Sequence, residues 1–263
     1  MTADFDHIAQ QYDEDFTNSL VGQYQRKQVW QYLDSRLNKH VKNILEINCG
    51  TGYDANYLAE NGYNVRACDI SPEMINVANS KYANMPNLKF EVCNTIEIQK
   101  KFKGQKFDVV FSNFGGLNCL SVEKMERFFE EVPTIVKPNG RLVLVIMGQY
   151  CLWEWLYFFA KLNWAKMFRR ATNKAVAVNV NGKAVDTYYF TPKQIKKWAV
   201  KFNLLKLQAI GFAIPPSYLN SFFGKKPKTL SSFNSWDNRL KKYAWPAYLS
   251  DHYLIDLQLK KQA

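Results

Sequence analysis

Five short apolar runs recur through the first half of the chain, at 44–47, 65–68, 88–92, 107–112 and 141–147. Runs of this length bounded by turn residues read as buried strands. Between them the spacing changes: Ala55, Leu58 and Ala59 share a helical face, as do Met125, Phe128, Phe129 and Val132 further on. Ser71-Pro72 opens another helix, to about residue 83, with a capping hydroxyl and a proline at the first position. Strands alternating with helices predict an α/β fold, a doubly wound sheet with ligands at the C-terminal ends of its strands.

Ahead of the first strand, Phe5, Ile8, Ala9 and Tyr12 recur at helical spacing, then Val29, Tyr32, Leu33 and Arg36. After Met147 the pattern becomes aromatic through 150–162, followed by Trp164, Lys166, Met167, Arg169 and Arg170. That run is shorter than the ~20 apolar residues of a spanning helix. It fits a lid over a hydrophobic substrate, a face resting on a membrane surface through 150–170, or packed core. Segments 176–180 and 184–190 flank Asn181-Gly182, a preferred hairpin pair. Thr191 caps a helix to about 202, residues 204–212 read as strand six, 215–242 as irregular and basic, and 253–259 as the last strand.

The first strand runs into Glu46-Ile-Asn48-Cys-Gly50-Thr51-Gly52. Glycines at such a turn let a ligand touch main chain where a Cβ would hold it away. Asp69 ends the second strand 19 positions beyond Gly50. An acid there accepts hydrogen bonds from both ribose hydroxyls of a nucleoside lying over the turn. Glu46 sets the sign of the ligand, because a carboxylate beside the turn repels pyrophosphate and attracts ammonium or sulfonium.

Glu46-Ile-Asn-Cys-Gly-Thr-Gly with Asp69-Ile-Ser-Pro-Glu-Met resembles the cofactor motif of class I S-adenosylmethionine-dependent methyltransferases. Asn113-Phe-Gly-Gly-Leu-Asn118 resembles the segment after strand four in a bacterial, small-molecule subgroup. The resemblance covers roughly the first 150 residues and extends loosely to the C-terminus. It implies a Rossmann-like, seven-stranded, mostly parallel sheet with the last strand antiparallel, a helical N-terminal lid, and insertions after strands five and six. One domain, 1–263, then divides into a lid (1–40), a cofactor-binding core (41–147), a substrate-specificity region (148–250) and the last strand (251–263).

The same resemblance implies S-adenosyl-L-methionine as cofactor, held by Glu46, Asn48, Gly50, Thr51, Gly52, Asp69, Ile70, Asn94, Thr95, Asn113 and Phe114. Asn94 stands where the family usually has an aspartate facing the adenine amino group, and its carboxamide oxygen can also accept. Tyr12 matches the tyrosine of the family's lid. An antiparallel last strand would start at the same rim, gathering Asn118, Tyr150, Trp153, Tyr218 and His252 around one pocket. His252, beside Asp251, is then the candidate general base, with Tyr12 and Asn118 as further candidate catalytic residues. His7 is second as a base, and His40, beside Lys39 and Lys42, reads as surface. The implied reaction is methyl transfer to a small hydrophobic or aromatic acceptor, oxygen ahead of nitrogen or carbon.

Composition narrows this further. The chain is 47% hydrophobic and 15% aromatic over 263 residues, enough for a full core in one domain. Its acidic start lacks the basic and apolar regions of a leader, which reads as cytoplasmic. Cys49, Cys68, Cys93, Cys119 and Cys151 are scattered singly, the pattern of reduced thiols rather than a disulfide framework or metal site. Residues 1–146 carry 16 Lys+Arg against 18 Asp+Glu, whereas 147–263 carry 19 against 5. The basic half suits an acidic substrate, a membrane surface or RNA.

An RNA methyltransferase is therefore the main alternative. Nucleic acid is not favoured, since no RNA-binding module is recognisable and Asn113-Phe-Gly-Gly differs from the Asn/Asp-Pro-Pro-Tyr/Phe block of base N-methylating enzymes. Gly50-Thr-Gly52-Tyr-Asp-Ala55 also satisfies a dinucleotide pattern, and Tyr157 with Lys161 matches an oxidoreductase dyad. The longer glycine turn of those oxidoreductases is missing and Glu46 opposes their pyrophosphate. A non-catalytic binding protein on the same fold is the third alternative. Oligomeric state is not legible.

Overall fold

The computed structural model describes residues 6–10 and 12–261, without the side chains of residues 14 and 15; Phe5, expected on the first helical face, lies outside them. Nine strands form: β1 (Asn43–Ile47), β2 (Asn64–Asp69), β3 (Leu88–Val92), β4 (Phe107–Ser112), β5 (Val136–Met147), β6 (Val176–Val180), β7 (Lys183–Thr187), β8 (Phe202–Ile210) and β9 (His252–Leu259). Seven of them make one sheet in the order β3-β2-β1-β4-β5-β9-β8. Strands β1 to β5 pair in parallel. β9 runs antiparallel between β5 and β8. The expected mostly parallel seven-stranded sheet with an antiparallel last strand is the fold observed.

Successive residues of the central strands feed opposite layers, as the twofold strand period requires. Leu45, Ile47, Val110, Leu144 and Ile146 join one core layer, with Phe128 and Tyr253. Ile44, Phe111, Val143 and Val145 join the other, with Val29 and Leu33 of the N-terminal helix. Both faces of β1 are covered, which is why its sequence reads as a continuous apolar run rather than an alternation. Strand order reverses at β1 and β4, so a crevice opens at their C-terminal ends.

Several boundaries differ from the sequence expectations. β5 begins at Val136, because the turn expected at 136–140 is a bulge inside it: Phe107 pairs with Val136, and Val109 with Arg141. β8 runs from 202 to 210 and stops at Gly211, whose φ is +67°. The N-terminal segment forms two short turns, Asp6–Ile8 and Asp13–Thr17, before the helix Leu20–Arg36. In that helix Val29, Tyr32 and Leu33 face inward as expected, but Arg36 is exposed and Gln25, Arg26 and Gln28 are buried. Asn181 and Gly182 turn the β6–β7 hairpin at φ +47° and +91°. No disulfide joins the cysteines among the described residues.

The stretch expected to be irregular contains the helix Pro227–Leu240. Serines, asparagines and Lys228 mask its apolar positions, yet Leu230 packs with Val21 and Ile214, against which Phe233 and Tyr24 rest. Its buried Asp237 accepts from Ala213 N (2.7 Å), Ile214 N (3.1 Å) and Gln28 Nε2 (3.0 Å). That one carboxylate joins this helix, the loop after β8 and the N-terminal helix. Asp237→Ala would strand these buried donors and is expected to cost about 3 kcal/mol of stability, with Asp237→Asn losing less because it keeps an acceptor. Urea unfolding of the two variants against wild type measures both; equal midpoints would remove this role.

Candidate active site

At the end of β1 the chain turns through three left-handed residues, Asn48 (φ +58°), Gly50 (+52°) and Gly52 (+80°). A Cβ on Gly52 would lie 2.5 Å from the Phe90 ring, so a side chain there has no room. Gly50 is open, with the Tyr12 ring 3.9 Å from where its Cβ would be. Asp69 holds the turn in place: Oδ2 accepts from Gly50 N and Oδ1 from Ser71 N, both at 2.9 Å. Ile70 is exposed at the lip of β2. Asn48 Nδ2 donates to Thr95 Oγ1 (2.9 Å), and Asn94 Oδ1 accepts from Ile96 N (3.2 Å), which ties in the loop after β3. Thr51 Oγ1 donates to Asp13 (2.6 Å) and so latches the N-terminal segment onto the turn.

Glu46 is 1% exposed beneath this turn. Burial pushes its carboxyl well above the ordinary value, Asp54 and Asp69 push further, and Arg26 opposes them. Arg26 Nε lies 3.6 Å from Asp54 Oδ1, and its guanidinium sits among the rings of Tyr53, Phe114 and Phe16. Asp54 also accepts from Trp30 Nε1 (2.6 Å) and Asn113 Nδ2 (3.0 Å). Among the described residues neither Glu46 Oε2 nor Arg26 Nη1 has a hydrogen-bond partner. The cavity they share with Tyr12, Gly50 and Phe114 measures about 30 Å³. Burial also pushes the Tyr12 hydroxyl up to about 12.

Arg26 and Asp54 were not singled out from sequence. A signal existed, since Arg26 shares the helical face of Val29 and Leu33, and a cation in an apolar stripe requires a partner.

Phe114 separates this cleft from a second group of charges. It is a non-glycine residue at φ +38°, a conformation that costs energy and clusters at functional sites. Its ring meets Phe16 on one side and the His252 ring on the other, edge-on, both with centroids 5.4 Å away. His252 Nδ1 lies 3.0 Å from Asp251 Oδ2 but off the line of a hydrogen bond. Asp251 Oδ1 accepts from Arg170 Nη2 (3.0 Å), Arg170 Nε donates to Glu154 (2.8 Å), and Arg169 Nε donates to Glu154 as well (2.7 Å). Burial would raise the Asp251 carboxyl, but His252 and Arg170 outweigh it and hold it well below the usual range.

The other residues expected around one pocket are not all together. Asn118 is fully buried; its amide donates to Met147 O (3.2 Å) and Tyr188 O (2.5 Å) and accepts from Met147 N (2.9 Å). These bonds make it a clamp on the end of β5 rather than a group turned toward a substrate. Trp153 donates to Ala213 O and packs on Phe223 and Phe233, while Tyr150 leans outward against Trp155. Tyr218 stays near His252's network, since Glu154, Cys151 and Asp251 act on its hydroxyl, which burial raises strongly. His7 reaches Val180 O on the hairpin. Lys161 lies over the Tyr157 ring, which packs on Tyr218 rather than beside the glycine turn.

Residues 44–140 match a family model described as a methyltransferase domain. A demethylmenaquinone methyltransferase from Clavibacter sepedonicus is 29% identical over 146 residues, 55% of this chain and 56% of that protein. A ubiquinone biosynthesis O-methyltransferase from Coxiella burnetii is 24% identical over 196 residues, 70% of this chain and 73% of that protein. The chain thus spans about half the length of the first curated relatives it matches. Among solved structures, a SAM-dependent methyltransferase from Methanosarcina mazei has a TM-score of 0.62 at 19% identity, covering 88% of this chain and 98% of its own. The CcbJ methyltransferase from Streptomyces caelestis gives 0.63 at 16% identity over 99% of each chain. At these identities the structural likeness speaks for the fold.

The raised carboxyl of Glu46 has a stability consequence. Above the ordinary glutamate value of 4.5 the unfolded chain ionises while the folded chain keeps its proton, so stability is full below that value and declines as pH rises through the folded one. Glu46→Gln removes this penalty, and the variant is expected to melt above wild type near neutral pH, with the gap closing toward about pH 4. Thermal melts across that range decide it; two parallel profiles would show that Glu46 carries no such strain.

Proposed function

We propose that this chain, whose residues 44–140 match a family model described as a methyltransferase domain, binds S-adenosylmethionine at the glycine turn and transfers its methyl group to a small hydrophobic or aromatic acceptor. One observation carries the reading. A buried carboxylate oxygen of Glu46 and a buried guanidinium nitrogen of Arg26, both without a hydrogen-bond partner among the described residues, share one cleft. Buried polar groups with unmet valence are costly, and a ligand carrying both ammonium and carboxylate removes the cost, its ammonium drawing Glu46 into the ionised form. Asp54 and Asp69 add negative charge, which suits a cationic ligand and opposes the pyrophosphate of a dinucleotide.

When bound, the cofactor supplies a methyl group already activated on a positively charged sulfur, so the protein's task is placement and exclusion of water. In this reading Arg26 takes the carboxylate, Glu46 the ammonium, and Asp69 the ribose hydroxyls through lone pairs that Gly50 N and Ser71 N leave open. Asn48, Thr51, Gly52, Ile70, Asn94 and Thr95 line the nucleoside, while Asn113 and Phe114 border the methyl. About 30 Å³ is far below the ~300 Å³ and more of a ligand pocket, so binding requires Tyr12, Phe16 and Phe114 to swing aside. That gives the N-terminal segment its role as a lid.

His252 is the base for a hydroxyl acceptor. Asp251, ionised and held by Arg170, stabilises the imidazolium that forms when the acceptor's proton arrives. Oxygen is accordingly preferred as the methylated atom. The relatives named for demethylmenaquinone and for ubiquinone biosynthesis support an apolar, ring-bearing acceptor.

Calorimetry with S-adenosylmethionine and with NADH on one sample tests the cofactor. Heat is expected from the first alone, with affinity down at least about tenfold in Asp69→Ala and in Arg26→Ala. Affinity should also weaken as pH falls through the raised value of Glu46, because the neutral acid no longer attracts the ammonium. Binding of NADH instead, or wild-type affinity in both variants, overturns the reading. With phenols and hydroquinones as acceptors, His252→Ala is expected to lower turnover at least about tenfold at unchanged cofactor affinity; equal turnover would end its role as base.

A further inference from the structure

The helix Leu152–Ala160 turns Glu154 and Phe158 inward and leaves Leu156 and Phe159 each 54% exposed. It ends on Leu162, which adopts φ +52° and is 75% exposed. A left-handed residue after a helix is ordinarily Gly or Asn, so a leucine there accepts backbone strain and presents its whole side chain to the outside. Trp164 (57%) and Phe168 (54%) extend the same face, touching it through the Phe159–Trp164 and Trp155–Phe168 ring contacts. On the far side, the contact of Tyr157 with Tyr218 joins it to the segment carrying exposed Phe222, with Lys226 over the Phe222 ring.

The charges around this face have one sign. Between Glu154 and Asp186 the sequence has six Lys and Arg residues and no acid. Arg169 and Arg170 are turned inward to Glu154 and Asp251, which leaves Lys161, Lys166 and Lys174 exposed, with Lys183 on the hairpin. Exposed aromatic and aliphatic tips interleaved with lysines match the boundary between head groups and acyl chains of an anionic bilayer. A second copy of the chain does not suit it, because a twofold contact would set these lysines against themselves. Nucleic acid would use the lysines but leave Leu156 and Leu162 without a function.

We propose that this face docks the chain on an anionic lipid bilayer, with Leu156, Phe159, Leu162, Trp164 and Phe168 at the acyl boundary and Lys161, Lys166 and Lys174 against lipid phosphates. Docking sets the exposed Tyr218, which packs on Tyr157 of this face, at the lipid side of the protein. The proposal goes beyond the methyl-transfer reading and does not depend on it, since it is read by lipid binding without turnover.

Co-sedimentation of the full chain with vesicles rich in phosphatidylglycerol, compared with pure phosphatidylcholine, tests it. Binding is expected to the anionic vesicles, to fall with added salt, and to drop at least about tenfold in the double variant L162E/W164E and in K161E/K166E. Melting temperatures close to wild type establish that both variants are folded, and K161E/K166E alters exposed side chains alone. No binding to anionic vesicles, or binding undiminished in both variants, overturns the proposal. So does a dimer in solution that L162E/W164E dissociates, because the face would then be covered by a second copy.

Discussion

A carboxylate buried at the end of the central strand is the constraint around which the rest is arranged. Glu46 lies in β1 with both sheet faces covered, and Asp54 and Asp69 add to its field. Acids gathered in a low-dielectric space repel one another and resist ionisation, so such an arrangement needs a cation to persist. The fold brings one from the preceding helix as Arg26, and three rings around the guanidinium keep it in a dry position. One guanidinium faces three carboxyl groups there, and the field of Asp54 and Asp69 helps burial keep the proton on Glu46.

The elements that build this site were legible because they are local. An apolar run, two glycines and an acid 19 positions later lie within one β-turn-α-β unit, and their roles follow from spacing alone. Arg26 was not legible because its partners Asp54 and Phe114 lie 28 and 88 positions away and meet it only when strand order reverses at β1 and β4. The helix Pro227–Leu240 was hidden for a related reason: its serines and asparagines read as loop, while the apolar residues that fix it pack against Val21 and Ile214. Asp256 shows the same limit. It is fully buried in β9, paired with Arg141 of β5 and Tyr32 of the N-terminal helix, and nothing in its own segment announces either partner.

Charge asymmetry along the sequence becomes two separate devices in the structure. The acidic half makes the cleft under the glycine turn. The basic half divides again, because Arg169 and Arg170 turn inward to Glu154 and Asp251 while the neighbouring lysines stay outside. A count of charges reads both sets as one basic surface. Burial separates them, since an inward arginine must be matched nearly one for one and an outward lysine need not be.

Phe114 is where the two charged regions meet, and behind it a buried histidine has an ionised neighbour. An aspartate as enclosed as Asp251 would ordinarily be driven toward its neutral form, and a neutral acid lends no support to an imidazolium. Arg170 prevents this from behind, on the oxygen opposite the one that approaches His252. Arg170 is itself kept in place by Glu154, so the charge on Asp251 beside His252 is held from two ion pairs away on the aromatic helix. In the proposed transfer, a proton taken by His252 would meet a fixed negative charge inside the protein rather than reorganising water. That is the condition under which a base works in a site from which solvent has been removed.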